Sequence, residues 1–255
     1  MNDTPATMRG TGIGAAVRRV EDKRFLRGQG RYVDDLAGAD TAQLVMLRSP
    51  HASARITRLD VSKARSMPGV LLVLTPDDIE DLGVLRCITP RLQRNGSPLA
   101  QTPWRMLAMG QVRYVGDAVA AVIATTRAAA QDAVDAIIVD YETLPAVTDV
   151  AEAIKPEAPR LWPDLAPGNE SVLFRLGDAA AVDAAFARAA HVTRFDFRIT
   201  RVSANPMEPR NALASYDPVE ERYTLTTGTQ LPHVMRNEIA EYALNIPTNR
   251  LRIIS

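Results

Sequence analysis

A single cysteine, Cys87, stands in a chain of 255 residues. A lone thiol excludes an intramolecular disulfide framework, and it excludes a cysteine-ligated iron–sulfur cluster or structural zinc held by this chain alone. It fits a reducing cytoplasm, where the residue is expected to pack as a small, partly buried hydrophobe. Histidine is nearly as scarce: His51, His191 and His233 lie far apart and none sits in a metal-ligand spacing, so no metal held by side chains is expected. Charge of one sign is not in excess, because Lys plus Arg and Asp plus Glu number 30 each. No overall field therefore draws the chain to nucleic acid or an anionic membrane. No stretch approaches the ~18 uninterrupted apolar residues of a membrane span. The opening MNDTPATMRGTGIG lacks an apolar run after a basic one, so a soluble protein without its own export signal is expected.

Familiar catalytic patterns are missing too. Gly10-Thr11-Gly12-Ile13-Gly14 has neither dinucleotide nor phosphate-loop spacing and follows no buried strand, which leaves a flexible arm. No G-x-S-x-G occurs for a serine nucleophile. Asp34-Asp35 and Asp77-Asp78 are adjacent carboxylates that point to different faces of an extended chain, so turn or cap roles fit better than acid–base work.

What is present reads as alternating strands and helices, a mixed α/β pattern. Residues 1–20 look like an extended arm. Gly28 and Gly30 among bulky residues suggest a tight turn between two short strands. Strands follow over 43–48 and 56–61, then a short helix over 62–66 and a break at Met67-Pro68-Gly69. The continuous apolar run Val70 to Leu74 fits a strand buried on both faces. Thr75-Pro76-Asp77-Asp78 has the form of a helix start, with a short helix to Leu82. A proline- and glycine-punctuated loop spans 86–110. Strands are expected at 112–115 and 118–124, a helix capped by Thr126 over 127–136, and a strand over 137–141. Residues 152–168 hold four prolines and read as an extended linker. Beyond it Asp178 caps a helix to Ala190, and an alternating strand covers 191–199. A hairpin turns at Asp217-Pro218, Pro232 opens a helix to Leu244, and a last strand begins at Leu251.

Several blocks of the sequence resemble the large subunits of molybdenum hydroxylases, the xanthine dehydrogenase, aldehyde oxidase and carbon monoxide dehydrogenase family. Arg18-Arg19-Val20-Glu21-Asp22, Leu26-x-Gly28-x-Gly30-Arg31-Tyr32-Val33-Asp34-Asp35 and Arg48-Ser49-Pro50-His51-Ala52 are similar to the family's opening segments. Met67-Pro68-Gly69-Val70, Val112-Arg113-Tyr114-Val115-Gly116-Asp117 and Val139-Asp140-Tyr141-Glu142 follow in the family's order. Further on, Gly177-Asp178, Asn205-Pro206-Met207-Glu208-Pro209-Arg210 and Thr229-Gln230-x-Pro232-His233 resemble the entry to the molybdopterin-binding region. The likeness covers nearly the whole chain and implies an amino-terminal portion: an arm over 1–20, an a/b hammerhead domain over 21–147, a linker over 148–170, and the truncated beginning of a molybdopterin-binding domain over 171–255.

The resemblance also implies chemistry. Family members oxidise or hydroxylate a carbon centre with water-derived oxygen, at molybdenum held by molybdopterin cytosine dinucleotide or a related pterin. Because the pterin dithiolene holds the metal, no protein metal-ligand motif is needed. The glutamine matching Gln230 is expected beside the molybdenum, donating its amide N–H to an oxo group. Glu208, between two prolines, is a weaker candidate for the cofactor pocket, with a structural carboxylate as its other reading. Partners implied are the remainder of the large subunit, an iron–sulfur small subunit and an FAD-binding medium subunit. The family's glycine-rich segment, further pterin contacts, substrate loop and base glutamate are not in this sequence. The chain alone is therefore expected to hold no cofactor and to be inactive. A non-catalytic scaffold or split-gene module that docks to the rest of the large subunit is the alternative.

Overall fold

A computed structural model describes residues 13, 15, 18–87, 92–200 and 202–255. In chain order the elements begin with α1 (Asp22–Phe25), β1 (Gln43–Arg48), β2 (Ala54–Asp60), α2 (Ser62–Arg65) and β3 (Val70–Leu74). They continue with β4 (Gln111–Val112), β5 (Ala118–Ala124), α3 (Arg127–Asp135), β6 (Ile138–Thr143) and α4 (Val150–Ala153). The last group is α5 (Ala179–Arg188), β7 (Leu213–Asp217), β8 (Arg222–Thr226), α6 (Pro232–Asn237) and β9 (Leu251–Ile254). Short 3-10 turns at Val33–Leu36, Asp77–Ile79 and Thr248–Arg250 and a π-helical turn at Glu238–Ala243 complete it.

Two antiparallel sheets, ordered β1-β5-β3 and β4-β2-β6, make the first part. Ala118 to Ala124 supplies small apolar residues to both faces, so β5 takes the central place, with Val119, Ala120, Val122 and Ala124 fully buried. Its alternation splits them. Val122 and Ala124 pack with Val73, Ala130, Ala133 and Val134 under α3, whereas Val119 meets Ala54, Ala108 and Val112 under the second sheet. Helix α3 forms because Thr126 accepts the Ala129 N–H and its alanines meet the sheet at close range. The third sheet, β7-β8-β9, pairs β7 with β8 as a hairpin and β8 with β9 in parallel. Asp217 closes the hairpin by accepting the Val219 and Glu220 N–H groups.

Several expectations change. The arm over 1–20, with Gly10 to Gly14, lies largely outside the described residues. Gly28 does adopt a left-handed φ of 68°. It follows α1, however, and no strands flank it. The run 70–74 is a strand at a sheet edge rather than one buried on both faces: Val73 is buried while Leu71 and Leu72 are about half exposed, because only β5 pairs with it. Thr75 does not cap a helix by accepting. Its hydroxyl and N–H both donate to Asp78, and only a 3-10 turn follows. Residues 191–199 alternate as a strand should but join no ladder among the described residues. Cys87 is exposed.

The stretch after β6 folds back on the first part instead of running extended. Asn169, at φ 58°, donates through Nδ2 to the Ala153 and Pro159 carbonyls and accepts the Leu161 N–H at 2.9 Å. The Arg113 guanidinium stacks 3.6 Å over the Trp162 ring and donates to the Leu161 carbonyl.

Candidate functional site

In α/β sheets, ligands sit beyond the carboxyl ends of parallel strands, where helix amino termini also point. One such place exists among the described residues. Strand β8 ends at Thr226, a short loop carries Thr229, Gln230 and Leu231, and Pro232 at the first helical position opens α6, which runs directly into the π-helical turn. The chain then returns as β9, parallel to β8. Gln230 therefore stands at the carboxyl edge of the parallel pair and at a helix amino terminus.

The loop before Gln230 is held from both sides. Thr227 donates its N–H to the Ile254 carbonyl at 3.0 Å, and its hydroxyl donates to the Asn211 carbonyl at 2.7 Å. Ser255 Oγ donates to the Thr229 carbonyl at 2.8 Å, and Thr229 Oγ1 accepts the Leu231 N–H. The Gln230 side chain itself is exposed, with no hydrogen-bond partner among the described residues, so its amide is available. Helix α6 has no side-chain cap, which leaves its first-turn N–H donors without a side-chain partner.

Glu208 is not brought to Gln230 by any hydrogen bond among the described residues. Its carboxylate accepts the Val33 N–H at 3.4 Å. Nearby, Asn211 Nδ2 donates to Asp34. Residues 208–211 thus strap the third sheet to the 3-10 turn at Val33–Leu36. The histidines do other work: His51 meets the Tyr141 ring edge-on at 4.8 Å, His191 pairs with Thr193, and His233 is exposed on α6. Among the described residues no group of three or more His, Cys, Asp or Glu side chains could hold a metal ion.

A cleft of about 430 Å³ opens elsewhere, lined by Trp104, Met109, Arg113, Tyr114 and Trp162. Burial holds the Arg113 guanidinium below its ordinary pKa, with Asp117 partly opposing, and burial raises the Tyr114 phenol. Because Arg113 is committed to Trp162 and Leu161, it acts as a strut. The ties that sequence reading missed all cross long spans: Gly83 donates its N–H to the Ala243 carbonyl at 2.8 Å, and the Arg86 guanidinium lies 3.2 Å over the Tyr242 ring. Gly83 in an irregular stretch gave no local sign of either.

Residues 27–145 match the family model described as aldehyde oxidase and xanthine dehydrogenase, a/b hammerhead domain, and residues 164–255 match the molybdopterin cofactor-binding domain. The chain belongs to the molybdenum-hydroxylase large-subunit family. Its fold is a hammerhead domain followed by the start of a molybdopterin-binding domain.

Relatives within this family include the carbon monoxide dehydrogenase large chain of Afipia carboxidovorans, 34% identical with 96% of this chain and 30% of the relative covered. The nicotine 6-hydroxylase large subunit of Paenarthrobacter nicotinovorans is 37% identical, covering 95% of this chain and 29% of the relative. Among solved structures, quinoline 2-oxidoreductase from Pseudomonas putida 86 superposes with a TM-score of 0.81 at 38% identity, over 93% of this chain and 29% of that one. This family member thus spans about 30% of the length of these relatives. No helix among its described residues is long and apolar enough to cross a membrane.

Proposed function

We propose that this chain supplies the hammerhead domain and the front wall of the cofactor pocket in a molybdenum-dependent oxidoreductase that oxidises a carbon centre with water-derived oxygen. The observation that carries this reading is the position of Gln230, its amide unengaged, at the carboxyl edge of β8 and beside the uncapped start of α6. The residues present suit a molybdopterin in their chemistry. A neutral amide and backbone N–H groups are donors that favour an electron-rich group without competing for its metal. Glu208 is spent on the Val33 N–H and is assigned a structural role.

When bound, molybdopterin-held molybdenum supplies the two-electron redox chemistry that no side chain here possesses. This chain's own part is to bind and orient. Ser255 and Thr227 fix the backbone of the loop that carries Gln230, while its side-chain amide is left free to orient toward the group it would donate to. We assign the cytosine dinucleotide form of the pterin, an iron–sulfur small subunit, an FAD-binding medium subunit and the remainder of the large subunit as partners. A relative whose name makes it subunit gamma of a 6-hydroxypseudooxynicotine dehydrogenase complex supports a multi-subunit setting. We place the complex in the cytoplasm, on the strength of the single exposed thiol.

Molybdenum and pterin analysis of the chain alone, and of the chain co-purified with the remainder of a large subunit, tests the proposal. The chain alone should carry no stoichiometric metal and no dehydrogenase activity with dye acceptors, and the assembly should carry both. Stoichiometric metal on the isolated chain overturns the expected inactivity. An assembly without metal favours a non-catalytic scaffold.

A further inference from the structure

Helix α6 continues without a break into the π-helical turn Glu238–Ala243, where the Leu244 N–H reaches five residues back to the Ile239 carbonyl at 2.8 Å. A π turn takes more residues per revolution than an α turn and is rare outside functional sites. This one carries a further cost. Glu238 Oε2, on its first residue, is shut away from solvent with no hydrogen-bond partner among the described residues. Relaxing into an α turn would rewind the helix and rotate its start against its tail, so the π register persists only if the tail is held from outside.

The hold comes from the irregular stretch after the 3-10 turn at Asp77–Ile79. Leu85 exchanges backbone hydrogen bonds with Trp104, donating at 3.0 Å and accepting at 3.4 Å, which fixes the chain beside Arg86. From this base the Gly83 N–H donates to the Ala243 carbonyl, and the Arg86 guanidinium lies 3.2 Å over the Tyr242 ring. Arg86 makes no ion pair among the described residues, so its guanidinium is committed to that ring. Ala240 and Ala243 are buried, which seats the inner side of the same turn. At the other end of the helix, Gln230 stands two residues before Pro232.

We infer, on the reading of Gln230 given above, that Arg86 is a positioning residue for it: by holding Tyr242 it keeps the helix in its π register and so sets where the helix start carries Gln230.

Arg86→Ala, Arg86→Lys and Tyr242→Leu, each in the chain assembled with the remainder of its large subunit, test this by amide exchange and by turnover per bound metal. Arg86→Ala and Tyr242→Leu should speed exchange at least ~10-fold both at the tail, residues 238–246, and at the head, Leu231 and Met235, while β5 amides stay protected. Arg86→Lys keeps the cation and should restore most of the protection. Arg86→Ala should lower kcat by up to ~10²-fold with KM and molybdenum content unchanged, as expected for a donor carried out of place. In a Gln230→Ala background Arg86→Ala should lower the rate no further, because both changes act through one amide. Losses that multiply in the double variant, or faster exchange confined to the tail, overturn the assignment and leave Arg86 a local clamp. Normal turnover in Gln230→Ala, or an assembly without metal, sinks the reading of the pocket instead, and exchange at Leu231 and Met235 then decides alone whether the grip reaches Gln230.

Discussion

Gly83 rests against the Tyr242 backbone so closely that a β-carbon at position 83 would overlap the Tyr242 carbonyl oxygen. The same glycine donates to the Ala243 carbonyl, and Arg86 covers the Tyr242 ring. The hammerhead part thus grips the far end of the helix that starts beside Gln230. Gly83→Val should push that helix away at a cost of about 1–3 kcal/mol, the usual penalty for overpacking. Chemical denaturation measures the loss, and faster exchange confined to amides 238–246 locates it. Unchanged exchange there would place the grip elsewhere.

Asp60 accepts from the Ser62 hydroxyl at 2.6 Å, the Ser62 N–H at 3.1 Å and Arg58 at 2.8 Å, which lowers its pKa from 3.8 to about 2. A carboxylate whose folded pKa lies below its unfolded value contributes stability above about pH 4. That contribution fades as pH falls from there toward 2. Asp60→Asn should flatten the acid limb of the stability profile in this window. An acid limb identical to that of the unsubstituted chain would remove Asp60 as its source.

Asn169 latches residues 153–161 through three hydrogen bonds. We propose the domain boundary at 148–170, but the latch protects that stretch, and residues 191–200, exposed and joined to no ladder among the described residues, are the better protease substrate. Limited proteolysis should cut within 191–200 first. Asn169→Ala should open a new early site between 154 and 168. Early cleavage there in the unsubstituted chain would show that the latch does not hold.

Local pattern made much of the first part legible. β1, α2, β5 and α3 were readable because alternation, an apolar run and a threonine cap each act within a few residues. Placement within a sheet was not readable: the apolar runs of β3 and β5 look alike, yet one lies at an edge and the other at the centre. Residues 191–199 carry a strand pattern without a strand, since a ladder needs a partner that no local sequence supplies. The parallel pairing of β8 with β9 and the contact of Gly83 with Tyr242 join distant positions and leave no periodic trace. Gln230 itself was found by resemblance alone; the structure adds its loop, its neighbours and its unengaged amide.

Turnover per bound metal in the assembled enzyme tests most directly whether this chain contributes Gln230 to a molybdenum pocket. Gln230→Ala should lower turnover ~10²–10³-fold with normal molybdenum content, the loss expected for one oxyanion-type donor. Gln230→Glu should be at least as damaging, because an ionised carboxylate offers no N–H and repels an electron-rich centre. Normal turnover in a fully metallated Gln230→Ala enzyme would contradict the account and reduce the residue to a structural group at the start of α6.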